Sequence, residues 1–264
     1  MNVHTGYVLS PVEYDLIWQQ LGLGRMCYPL DVPSNGRTME ERAEIRAKAV
    51  PGMVDGGLMV DGEISPELAD MLRVLAEPQR LVDLIGFVRG PLRAVAALGA
   101  TGAVLATVDE GGLEVRPIRD TALVSSIVGL LPQVPAGTGQ SMSVPLEVLK
   151  TASVAPDPED FSADPFGNDE EMTETDLLVR EGVSYSDAAA LTELATTRTG
   201  GGQFGVSVAS RPGARLTRAQ SMVTWFDTPR GRYLMFSDGA WVSLAPGGPD
   251  RIAWRIEESF KGLD

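Results

Sequence analysis

Residues 199–208, TGGGQFGVSV, place three glycines at the spacing Gly200-x-Gly202-x-x-Gly205. Loops with this spacing wrap a dinucleotide pyrophosphate, whose charge faces backbone N–H groups and a helix N-terminus. Such a loop must follow a strand and open a helix. Here a helical pattern ending near Arg198 comes first, and the alternating run FGVSV follows. In that order the glycines read as a helix stop with a left-handed turn into a strand. A small-molecule or nucleotide-binding enzyme using Gly200–Gly205 is the alternative reading.

Other reactive side chains lack partners in the sequence. GTGQSMS (137–143) has no second flanking glycine of a nucleophile elbow, and the single histidine, His4, is the only imidazole base for a serine. That stretch reads as a hinge between two halves. The lone Cys27 excludes an intramolecular disulfide and a cysteine-based zinc site, and reads as a buried or half-buried thiol. Nine acidic residues and no basic one fall between Asp157 and Asp176, without the D-x-D-x-D-G register of a calcium loop. They read as a solvated loop, 156–173. No catalytic residue, cofactor or metal ligand set is expected.

A net charge of -14 over 264 residues opposes binding to nucleic-acid phosphates and anionic lipid. The start, MNVHTGYVLS, lacks the basic and apolar regions of a signal peptide, and no apolar run approaches a membrane span. A cytoplasmic protein is expected.

The elements that position these groups are marked by caps and turns. Ser10-Pro11-Val12-Glu13 and Thr38-Met39-Glu40-Glu41 are capping-box signatures, and the second opens a charged, exposed helix. Ser65-Pro66-Glu67 opens a third helix with Leu68, Met71, Leu72 and Leu75 on one face. Asp120 can cap a short apolar helix through Ile127, stopped by Pro132. The strand-like runs RAVAALG, AVLATVD and LEVRPI lie between the last two helices, and Asp109-Glu110-Gly111-Gly112 joins two of them as a hairpin.

The second half repeats this course. SVPLEVLK (143–150) begins a helix, and a helical stretch over 173–198 has Ser184 and Asp187 as its cap with Ala188, Leu191 and Leu194 inward. FGVSVA, SMVTWFD, RYLMF and AWVSL are strands, with Asp238-Gly239 as a turn. A last helix after Pro249 aligns Ile252, Ile256 and Phe260. The pattern predicts an α+β fold with pseudo-twofold internal duplication, halves at 1–136 and 137–264 forming one compact domain, and an antiparallel sheet. Trp225 and Phe226 alternate onto opposite faces, so that sheet is either covered on both sides or offers one face to a partner.

In order along the chain, the opening helix into LGLG, the T-x-x-E-R helix before GLMVDGEIS, LAEPQ, AVAALGATGAVLATV, LVSSIVGLLPQVPAGTGQSMSVP, GGQFGVSVASR and DTPRGRYLMF resemble the EspG proteins. These are cytosolic chaperones of actinobacterial type VII (ESX) secretion. The resemblance implies a central antiparallel sheet with two helical bundles. It also implies binding to the PPE tip of a PE–PPE heterodimer, which keeps that substrate soluble and directs it to its secretion system. Partner contacts would fall at Gln203, Val206, Val208 and Arg211, with Asp109 and Glu110 as a second location. Self-association of the unbound chain through an exposed sheet is a further reading.

Overall fold

Helices begin where a short polar side chain can take up the unpaired N–H groups of a first turn. The computed structural model, which describes residues 6–147, 173–237 and 239–263, bears out most of the expected caps. Ser10 and Glu13 close a capping box on α1 (Pro11–Gln20), with Ser10 N donating to the Glu13 carboxylate at 2.8 Å. Thr38 caps α2 (Met39–Asp55), a charged helix whose one buried residue is Met53. α3 (Pro66–Ala76) buries Leu68, Met71, Leu72 and Leu75, but the Ser65 hydroxyl makes no cap bond. It donates instead to Glu67 Oε2 at 3.0 Å and pairs with Tyr7 Oη at 2.8 Å. Asp120 opens a single 3-10 turn without capping α4 (Leu123–Val128), and Gly129 closes that helix ahead of Pro132.

The chain forms two compact units: residues 1–133, 202–222 and 249–264 make one, and 134–201 and 223–248 the other. The first crossing lies close to the expected 136/137 boundary. The C-terminal half does not stay together, because most of the glycine-rich strand and the last helix join the N-terminal unit.

In the first unit, β1 (Tyr7–Leu9), β4 (Arg80–Phe87), β5 (Pro91–Gly99), β6 (Gly102–Asp109), β7 (Gly112–Ile118) and β9 (Gly200–Ala209) stand in the order β1-β7-β6-β5-β4-β9. β2 (Met59–Val60) and β3 (Glu63–Ile64) form a separate hairpin, and β10 (Leu216–Arg218) folds back on β9. Consecutive strands pair antiparallel through short turns, with Asp109 opposite Gly112. β4 was not among the expected strands. Leu81, Val82, Asp83 and Leu84 are all buried, so this strand is covered on both faces and lacks the alternation that betrays a half-buried one. α1 and α3 pack with Val95, Ala97, Val104 and Ala106 in one core. α4 also rests on β5, and the last helix packs against α4.

In the second unit the order is β11-β12-β13-β8, from β11 (Val223–Thr228), β12 (Gly231–Ser237), β13 (Trp241–Pro246) and β8 (Met142–Pro145). The helix expected over 143–150 starts later: residues 142–145 are a strand paired with β13, Val144 alternates inward onto the core, and helix begins at residue 146. Residues 148–150 lie outside the described residues. So does the acidic segment 156–173 apart from Thr173, and so does Asp238 of the expected turn. α5 (Glu174–Arg180) starts at a capping box of Thr173 and Asp176, and Ser184 caps α6 (Tyr185–Thr196) through Asp187 N. Leu178, Ala188, Leu191 and Leu194 close on Phe226, Tyr233, Val242 and Leu244. Trp225 and Phe226 point to opposite faces and are both buried, so the sheet is covered on both sides here, while Trp241 remains half exposed. The last helix, α7 (Pro249–Lys261), belongs to the first unit and buries Ile252, Ile256 and Phe260 as its spacing predicts, with Arg80 over the Phe260 ring at 4.7 Å.

Candidate partner-binding site

The glycine motif lies inside β9, not in a turn before it. Its glycines are absent from the positive-φ residues, so the expected left-handed turn is corrected. Gly201, Gly202 and Gly205 are small because something passes close to each. A Cβ on Gly202 would collide with Ile85 O and Gly86 Cα on the neighbouring strand. On Gly201 it would lie 2.9 Å from Trp225 O and 2.8 Å from the Arg198 guanidinium. On Gly205 it would strike the Arg218 guanidinium and sit 2.7 Å from Asp83 Oδ2. The backbone N–H groups of a strand are committed to its neighbours and do not converge on an anion. The order of elements also lacks the helix N-terminus that a pyrophosphate loop needs.

Gly205 marks an ion pair between residues far apart in the chain, which no local pattern announces. Asp83, on β4, is 2% exposed and receives two hydrogen bonds from Arg218, Nη1 to Oδ2 at 2.5 Å and Nη2 to Oδ1 at 2.9 Å. Arg218 reaches it from β10 across the bare backbone of Gly205. This bidentate pair fastens β10 onto the sheet, and with it the turn over residues 210–215. The carboxylate raises the Arg218 pKa above its usual value, chiefly through the hydrogen bond.

Cys27 lines a recess beside this pair, with Leu75, Leu81, Asp83 and Arg218. Its thiol donates only a long bond, 3.6 Å, to Tyr28 O. Burial first, and the Asp83 charge second, push its pKa up to about 12. The thiolate is the nucleophile, so at pH 8 iodoacetamide will alkylate the folded chain at least tenfold more slowly than the urea-unfolded chain. The unfolded thiol titrates near 8.5 and the folded one near 12, so ionisation favours unfolding progressively as pH rises through that window. Equal alkylation rates in the two states, followed by mass spectrometry, would contradict this burial.

The six residues named from the sequence do not form one patch. β9 lies antiparallel beside β4: Ala209 N donates to Gln79 O at 2.8 Å, and Gly202 abuts Ile85. Phe204, Val206 and Val208 therefore share one face of β9, and Gln203 lies on the other. Val206 is 1% exposed, whereas Gln203 and Val208 are half-buried. Arg211 is exposed in the turn between β9 and β10, its backbone O accepting from Ala214 N at 3.0 Å. Asp109 and Glu110 are exposed at the β6–β7 turn, where Asp109 Oδ1 accepts from Gly111 N at 2.7 Å. Following the registers through β4, β5 and β6 places that turn at the opposite end of the sheet from Val208 and Arg211. Val208 and Arg211 are brought together; the other location is separate.

Among the described residues, no group of three His, Cys, Asp or Glu could hold a metal ion, and no helix is long and apolar enough to cross a membrane. The accessible features are a hairpin surface and grooves on a mixed α/β frame with a large antiparallel sheet. That is the class of protein defined here, one that presents surfaces. The EspG family model matches residues 10–258, and the chain belongs to that family. Its fold is also that of a solved structure, the Mycobacterium tuberculosis type VII secretion system chaperone EspG5 in complex with a PE25–PPE41 dimer. The TM-score is 0.67 at 15% sequence identity, covering 97% of this chain and 96% of that one. No curated protein matches the chain by sequence.

Proposed function

We propose that this chain is a cytosolic chaperone of type VII secretion. It binds the tip of the PPE subunit of a PE–PPE heterodimer, shields its apolar surface and directs the pair to its secretion system. The observation that carries this reading is the EspG family match over residues 10–258, in a family of chaperones. The shared fold with a chaperone captured on a PE–PPE dimer supports it. The β9–β10 hairpin is the contact we favour, since Val208 and Arg211 stand together on it and the Asp83–Arg218 pair holds it in one conformation. A pre-ordered surface binds with less loss of conformational freedom than a loose one. Arg211 also offers an exposed cation on a chain whose net charge is -14, which suits an acidic spot on the partner.

Co-expression with the PE–PPE pairs of the same genome, followed by size-exclusion chromatography, tests the reading. One pair is expected to elute with the chain as a defined complex, and to be insoluble or aggregated without it. If every pair fails to associate, the proposal is wrong. The alternative of a nucleotide-binding enzyme has lost its structural basis, because its glycines are strand positions filled by neighbouring atoms.

A further inference from the structure

The second unit has an apolar core with a recess in it. A groove of about 300 Å³ lies between α5–α6 and the strands β11–β13. Leu178 and Leu191 wall it from the helices, and Phe226, Met235 and Leu244 from the strands. Small-molecule sites begin at about this volume, and they combine apolar walls with a few polar groups that fix orientation. Apolar side chains that line a recess make fewer dispersion contacts than those of a packed interior. An apolar occupant would recover them.

The polar groups at this groove are few, and one stands out. Arg198 borders it and has no hydrogen-bond or ion-pair partner among the described residues. Two other arginines of the same unit are paired, Arg230 with Glu193 and Arg232 with Asp227, each at 2.7 Å. The Arg198 guanidinium instead lies over the bare backbone of Gly201, where a Cβ would be 2.8 Å from Nη2 and 3.0 Å from Nε. The glycine leaves the space that this guanidinium occupies. The other charged residue lining the groove is Glu174, at the start of α5. The exposed Arg198 guanidinium suits a carboxylate, and the exposed Glu174 carboxylate disfavours an occupant carrying a second negative charge. A dianion would meet Glu174 with charge left over, and a cation would meet Arg198.

We propose that this groove binds an amphipathic monocarboxylate, a fatty acid in chemical class, with its alkyl chain along Leu191, Phe226 and Leu244 and its carboxylate on Arg198. A guanidinium–carboxylate pair is charge-assisted and stronger than the bond a neutral alcohol could make. The site does not depend on the chaperone reading.

Decanoate, kept below its micelle concentration, is titrated into the full chain by calorimetry, with decanol and decyl phosphate as comparators. Methyl NMR of Leu191 and Met235 locates the ligand. Decanoate is expected to bind more tightly than either comparator and to shift those methyl signals. Arg198→Gln weakens decanoate by about tenfold or more, the equivalent of one charge-assisted bond, and leaves decanol unchanged. Ala195→Phe, at an exposed position on the groove wall, removes binding of both without lowering the melting temperature. The proposal is overturned if decanol or decyl phosphate binds as tightly as decanoate, if Arg198→Gln keeps its affinity, or if the methyl signals do not move.

Discussion

Replacing Asp227 with Ala will destabilise the second unit by about 3–5 kcal/mol, the largest loss expected from any single substitution of a polar residue in that unit. Asp227 and Arg232 face each other in the β11–β12 hairpin and pair twice, Nε to Oδ1 at 2.7 Å and Nη2 to Oδ2 at 2.8 Å. Their side chains are 7% and 0% exposed. The Arg232 guanidinium also lies over the Trp225 ring at 4.9 Å. Removing the carboxylate leaves a charge that water cannot reach, and the structure must open to hydrate it. The exposed pair of Arg230 with Glu193, 45% and 49% accessible, serves as the control: Glu193→Ala should change stability by less than about 1 kcal/mol. A double substitution, Asp227→Leu with Arg232→Met, removes both charges together and should recover most of the loss. Urea unfolding resolved by amide exchange reads the effect, since a chain of two units need not unfold in one step. If Asp227→Ala costs no more than Glu193→Ala, water reaches the pair and it is not a buried ion pair.

This pair shows what the sequence leaves hidden. Asp227 and Arg232 could be read from the sequence only as hydrophilic ends of strand-like runs, and their joint burial depends on what covers the hairpin from other parts of the chain. Local signals fared better. Ser10 with Glu13, Thr38 with Glu41 and Ser184 with Asp187 act within one helical turn, so residue types three apart suffice to place the helix starts. The hairpin after Asp109 was legible for the same reason. β4 was not, because a strand buried on both faces has no period of two, and its buried charged residue, Asp83, reads as a break until Arg218 is seen reaching it from far along the chain. The segment SVPLEVLK was read as helix on local propensity, while pairing with β13 makes its first residues a strand. The glycines of β9 carried a real constraint, but it came from Ile85, Arg198 and Arg218, none of which a local motif includes. The candidate contact residues were named as two locations, and strand registers place Val208 and Arg211 toward one end of the sheet and Asp109 and Glu110 at the other.

The same registers give Val206 and Val208 opposite fates, although both are valines two residues apart on one face of β9. Val206→Asp will lower stability by several kcal/mol, because Val206 is 1% exposed and a carboxylate there has no partner to offset its lost hydration. Val208→Asp should cost about 1 kcal/mol or less, since that side chain is only half-buried and its charge can turn toward water. On the proposed chaperone function, the effect on partner capture runs the other way. A carboxylate at position 208 stands beside Arg211 at the centre of the proposed contact, and it should weaken capture of a PE–PPE dimer by about tenfold or more with the melting temperature nearly unchanged. Arg211→Glu should do the same, and Asp109→Lys at the far turn should not. Melting curves and affinities measured on these four variants separate the outcomes. Should Val208→Asp keep full affinity while Asp109→Lys loses it, the partner sits at the β6–β7 end and the hairpin is not the contact. Should Val208→Asp unfold the chain as Val206→Asp does, the face around Val208 is core, and the surface for a partner must be sought among residues that remain exposed when both valines are covered.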